Sequence, residues 1–82
     1  MTMTRYLFDI HNDGLDHEPV PMELSSREDV VREAGRILAD MARDEMRGSR
    51  QMSIFLNVRD ETGRPVFVSS LSFMAEWLEK DS

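Results

Sequence analysis

Cysteine is absent from the 82 residues, so a disulfide framework, a thiol nucleophile and any Cys-based zinc or iron–sulfur site are excluded. Glycine is scarce, and its four residues stand apart, at turns, a helix cap and mid-helix. No glycine-rich phosphate-binding loop can be drawn from them. No serine lies in a Gly-x-Ser-x-Gly frame, so the sequence carries no nucleophile-elbow signature. Apolar runs are short. Met1-Thr2-Met3-Thr4-Arg5 leads into only Tyr6-Leu7-Phe8 before Asp9 interrupts, far from the ~7–15 apolar residues of a signal peptide or the ~18 of a membrane span. Cytoplasm is the default expectation. Basic charge is also short, with 10 Lys and Arg against 16 Asp and Glu and a net charge of −6. Nucleic acid and anionic membrane both require cationic neutralisation, so neither is expected as a partner.

What is present is the composition of a small globular protein, 40% hydrophobic and 32% charged. The length suits one domain spanning 1–82, and a domain of this size buries only about 60% of the surface its unfolded chain exposes. Its core is therefore modest.

Period-two alternation marks the first segment, Arg5 to His11, where Tyr6, Phe8 and Ile10 oppose Leu7 and Asp9. That is the pattern of a strand with one buried face. Asn12-Asp13-Gly14 follows, and Asp-Gly suits a tight hairpin because both positions tolerate positive φ. Glu18-Pro19-Val20-Pro21-Met22 predicts a second extended piece. Its prolines lack N–H donors, so it belongs at a sheet edge, short and irregular.

Ser25-Ser26-Arg27-Glu28 fits a capping box with Ser25 as cap and Glu28 reaching back. Val30, Ala34, Ile37, Leu38 and Met41 then recur at helical spacing, predicting a helix from Arg27 to Met46 with Gly48 as its C-cap. Glu28 with Arg32 and Arg36 with Asp40 are opposite charges four apart. The arginines at 32, 36, 43 and 47 are offset by neighbouring acids, the mark of a solvated helix face rather than a nucleic-acid surface.

Two strands are predicted next, Gln51 to Asp60 and Arg64 to Phe73, joined by the turn Asp60-Glu61-Thr62-Gly63. The helix would be about 30 Å long at 1.5 Å per residue, and each strand about 33 Å at 3.3 Å. One helix can therefore cover one face of an antiparallel sheet. The fold class is α+β, a two-layer ββαββ arrangement. Met74, Ala75, Trp77 and Leu78 fit either a longer strand or a terminal helix.

The run Arg5-Tyr6-Leu7-Phe8-Asp9-Ile10-His11-Asn12-Asp13-Gly14, with Met41-Ala42-Arg43-Asp44-Glu45 and Val58-Arg59-Asp60-Glu61-Thr62-Gly63-Arg64-Pro65-Val66, resembles a small bacterial single-domain family of unknown function. The resemblance spans nearly the whole chain. Leu7 stands where that pattern has another aromatic, and Ser69 where it has an apolar residue. It implies a single α+β domain and no activity. In layout alone, the opening is also similar to the N-terminal domain of HicB-type antitoxins, acidic modules that cover a small basic RNase toxin.

Potential ligands cluster at Asp9, His11, Asp13, Asp16, His17 and Glu18. The run from Asp9 to Gly14 imitates the start of a calcium loop, but position twelve, which needs a bidentate glutamate, is Val20. Asp9, His11 and Asp13 would share one strand face about 7 Å apart. They are the weak candidates for a Zn²⁺ or Mn²⁺ site. The plainer reading makes them solvated residues of a hairpin. No metal, cofactor or catalytic residue is expected, and the protein is read as a non-enzyme.

Alternation sends Leu7, Phe55, Val66 and Val68 to the sheet face away from the helix, where no second helix remains to cover them. A patch of about 300–400 Å² would result. Burying it on two copies favours association by about 15–20 kcal/mol, against losses of about 4–15 kcal/mol. The expected function is thus a protein-binding module acting as a homodimer, with Leu7, Phe55, Val66, Val68 and Trp77 as interface candidates. The alternatives are a metal-dependent enzyme or sensor using the His11 hairpin, and an antitoxin-like neutraliser of a small basic partner.

Overall fold

A computed structural model describes residues 2–45, 48 and 50–79. It contains β1 (Thr4–Asn12), β2 (Leu15–Asp16), β3 (Val20–Leu24), α1 (Arg27–Glu45), β4 (Gln51–Arg59) and β5 (Pro65–Met74). All strand pairings are antiparallel, in the order β2-β1-β4-β5, with β3 beside β2 on the same flank of β1. The α+β class and the helix-on-sheet layering are as the sequence predicts. The strand count differs, because Leu15–Asp16 pairs with β1 as a strand of its own before the proline segment, which forms β3. Between them Pro19 lacks a donor for the ladder, and the pairing with β1 lapses.

The turn between β1 and β2 shows why Asp13-Gly14 stands there. Asp13 has φ 47° and Gly14 φ 86°, and two positive φ values in a two-residue loop make the turn whose twist matches its strands. At the other hairpin Gly63 has φ 88°. Asp60 Oδ1 accepts from the Thr62 N–H, the Thr62 hydroxyl and the Arg64 N–H at 2.9, 2.6 and 3.1 Å.

Helix α1 begins at Arg27 as predicted, but its cap differs from the one the capping box implies. Ser26, not Ser25, is the cap: its Oγ accepts from the Asp29 N–H at 3.2 Å, while the Ser25 hydroxyl donates to Asp29 Oδ2 at 3.0 Å. Asp29 sits in the first turn, where carboxylates favour the positive end of the helix dipole. One of the two predicted charge pairs changes partner and the other forms. Arg32 bonds Asp29 at 2.9 Å instead of Glu28, and Arg36 holds both Glu33 and Asp40. Those two carboxylates raise the pKa of Arg36, with the Glu33 hydrogen bond foremost. Met46 and Arg47 lie outside the described residues, and so does the helix end that Gly48 was expected to cap.

The core lies between α1 and one face of the sheet. Phe8, Ile54, Leu56 and Val58 are fully enclosed, with Met52, Ile10, Val30, Ala34, Ile37, Leu38 and Ala42 around them. Ala42 takes the buried place expected of Met41, which is half-buried at the margin. Tyr6, Phe67, Leu71 and Phe73 pack against the cluster and remain partly exposed. Two polar groups interrupt this apolar side: Asn12 Oδ1 and Ser69 Oγ are buried and have no hydrogen-bond partner. The residues after β5 form neither strand nor helix through Glu79, which answers the question left open at Trp77.

Candidate functional site

Alternation that sends Phe8, Ile10, Leu56 and Val58 to the helix sends their neighbours to a face that α1 does not touch. Along β1 that bare face carries Leu7, Asp9 and His11, and along β4 it carries Ser53, Phe55, Asn57 and Arg59. The register sets Leu7 opposite Arg59, Asp9 opposite Asn57 and His11 opposite Phe55. On β5, Val68 faces Asn57 and Ser70 faces Phe55.

The three metal candidates share this face but turn to different partners. Asp9 is held by Arg59 through two hydrogen bonds, Nε to Oδ2 at 2.6 Å and the terminal nitrogen to Oδ1 at 2.9 Å. This bidentate grip raises the Arg59 pKa, the hydrogen bond contributing more than the Coulombic attraction. The Arg59 side chain keeps about a third of its surface in solvent, which screens the pair, so it orders the face more than it stabilises the fold. His11 Nδ1 lies 2.6 Å from Asp16 Oδ1. A carboxylate only accepts, so that nitrogen carries the proton. Asp13 closes the hairpin against β4: its Oδ1 accepts from the Ser53 N–H at 3.0 Å and its own N–H donates to the Ser53 carbonyl at 3.1 Å. Among the described residues no three His, Asp or Glu side chains are grouped closely enough to hold an ion.

The interface candidates are distributed unevenly. Phe55, Val66 and Val68 are 52%, 42% and 64% exposed, whereas Leu7 is half-buried between its cross-strand neighbours Pro21 and Arg59. Trp77 and Leu78 stand almost wholly in solvent beyond β5. The Ala75 N–H donates to the Arg50 carbonyl at 2.7 Å, which fixes where that tail leaves the sheet. Phe55 and Val68 are diagonal neighbours, with Asn57 and Ser70 at the other two corners. The apolar surface is real but interleaved with polar groups.

The edges of the sheet are unlike one another, which the search for site residues overlooked. One edge is made of the short β2 and β3, with Asp16, Glu18, Pro19, Pro21 and Glu23 along it. The other is β5, ten residues from Pro65 to Met74 without a charged side chain. The signal was present in the sequence as an uncharged run, but only the strand order shows that this run is an edge. A cleft of about 610 Å³ opens between the start of α1 and the β4–β5 hairpin, lined by Tyr6, Arg27, Val31, Arg64 and Phe67 among others. No described helix is long and apolar enough to cross a membrane.

Residues 5–72 match the family model described as "Domain of unknown function (DUF6894)". All three sequence runs that carry the family resemblance fall inside the matched region. No curated protein and no solved structure matches the chain. Nothing in these comparisons supports the looser likeness to HicB-type antitoxin domains, whose strand, turn and capped helix are shared by many small α+β folds.

Proposed function

The chain belongs to the DUF6894 family, a domain of unknown function, and with no activity to inherit from it we propose a small protein-interaction module that works as a homo-oligomer, in its simplest form a dimer. One observation carries this reading. After α1 has covered one face of the sheet, Phe55 and Val68 remain 52% and 64% exposed on the other, whereas Val66, expected beside them, falls at the irregular hairpin end of β5 and borders the cleft against α1. Met74 at the end of β5 and Trp77 and Leu78 past it are exposed as well. Large apolar side chains grouped near one another on a domain this small mark a surface that meets another protein. A second copy also adds burial to a core that is modest at 82 residues.

The His11 hairpin lends less support to a metal-dependent activity. Asp9 is taken up by Arg59 and Asp13 by the Ser53 backbone, so a metal would have to displace both. Light scattering over a dilution series tests the proposal. A mass near twice 9.5 kDa at tens of micromolar is expected, and a mass that stays at one chain throughout would sink it.

A further inference from the structure

Strand β5 pairs with β4 alone. Its outer side therefore presents a ladder of about five N–H and five C=O groups with no strand to receive them. Proteins blunt such edges with charge, proline, shortness or a central bulge, and the opposite edge of this sheet uses the first three. Strand β5 uses none of them along its length. Proline stands only at its first position, and the register irregularity falls at the hairpin end, beside Arg59. The core margin beneath it is also unfinished, because Phe67, Leu71 and Phe73 point to the helix side and are only half-buried.

We infer that β5 is the surface through which two copies of this chain join, by antiparallel pairing of β5 with β5 about a two-fold axis at Ser70. The inference rests on the homodimer reading above and places its interface at the sheet edge rather than on the bare face. A two-fold axis sets each residue opposite its own mirror position, so any charge near the axis meets its like. In a chain of net charge −6, β5 is a stretch where self-pairing opposes no like charges. Centring on Ser70 also matches the side chains about the axis. Phe67 of one copy falls opposite Phe73 of the other on the helix side, and Val68 falls opposite Ser72 on the bare side. A shift of the axis by one residue loses the aromatic pairing. The paired assembly ends at the two proline-bearing edges, so it closes as a dimer rather than growing into a fibre. Face-to-face stacking on Phe55 would instead desolvate Asn57, Ser70 and the Asp9–Arg59 pair.

The absence of cysteine makes the register directly readable. In the full chain, Ser70→Cys sets each new thiol opposite its copy at a Cα separation of about 4.5–5.5 Å, within disulfide reach. Ser72→Cys, on the same strand face, lies about 13 Å from its copy at four residues of about 3.3 Å. Mild oxidation is expected to convert Ser70→Cys to a covalent dimer and leave Ser72→Cys unlinked, while Ser70→Lys weakens self-association by at least about tenfold. A wild-type protein that scatters as a dimer, with neither cysteine variant linking or both linking equally, would overturn the β5 interface and leave the homodimer standing. A dimer lost on Phe55→Glu but intact in Ser70→Lys would do the same in favour of the bare face. A monomer at every concentration removes the homodimer reading itself, and this interface with it.

Discussion

A single carboxylate, Asp60, organises the β4–β5 turn, accepting three hydrogen bonds across it. The Thr62 hydroxyl first, then the Arg64 N–H, hold its pKa below the usual aspartate range, against a smaller opposing effect of burial. A carboxylate depressed in the folded state contributes stability that is fully present above the unfolded value, about 3.9. That contribution is lost as pH falls through the folded value. The thermal midpoint of Asp60→Asn should therefore lie below that of the wild type at neutral pH, with the gap closing below about pH 4. A gap that persists unchanged in acid would assign the effect to turn shape alone. The sequence disclosed Asp60-Glu61-Thr62-Gly63 as a turn through its residue types. By contrast, the pairing of Asp9 with Arg59 joins residues fifty positions apart, and nothing local to either one announces it.

At the scale of elements, the helix is where sequence reasoning came nearest and where its error is instructive. Ser25 and Ser26 are both competent caps by chemistry. The choice between them fell to whichever phase buries Val30, Ala34, Ile37 and Leu38 against the sheet, and the structure selects Ser26. Ser26→Ala should cost about 1 kcal/mol and Ser25→Ala clearly less, as chemical denaturation of the two variants would measure. The reverse order would return the cap to Ser25. Ile37 sits 9% exposed over the sheet, so Ile37→Ala should cost about 2–5 kcal/mol. A midpoint unaffected by that substitution would mean that α1 is not docked on this face. Strand alternation was equally legible: the apolar side chains of β1 and β4 fall on the face assigned to them, and Met52 joins them at 1% exposure.

For the whole molecule, stability and assembly are coupled if two copies meet through β5. Ligation of the folded state by a second copy raises its apparent stability by mass action. The thermal midpoint should thus rise with protein concentration between about 1 and 100 µM, by several degrees for a small domain. A flat midpoint over that range would show that a single copy supplies all of the stability measured. The modest core makes this dependence readable, because a few kcal/mol is a large share of what a domain of this size possesses.

Local chemistry and periodicity were sufficient for the helix, the long strands and the two faces of β1 and β4, though not for the short β2. Asp13-Gly14, the serine pair before Arg27, the prolines at 19 and 21 and the alternation from Met52 to Val58 each act over a few residues, and each is readable where it stands. Strand order is a different kind of fact. It depends on which long-range pairings bury the most apolar surface for the least loop-closure entropy, and no short window contains that comparison. The pairing of β4 with both β1 and β5 decided that Asp9 would find Arg59 and that Asp13 would be drawn to Ser53 instead of toward a shared ion. The same pairing left β5 outermost. An uncharged run of ten residues is unremarkable inside a sheet, where both sides of its backbone are satisfied; placed at the rim, it leaves half of its N–H and C=O groups turned outward.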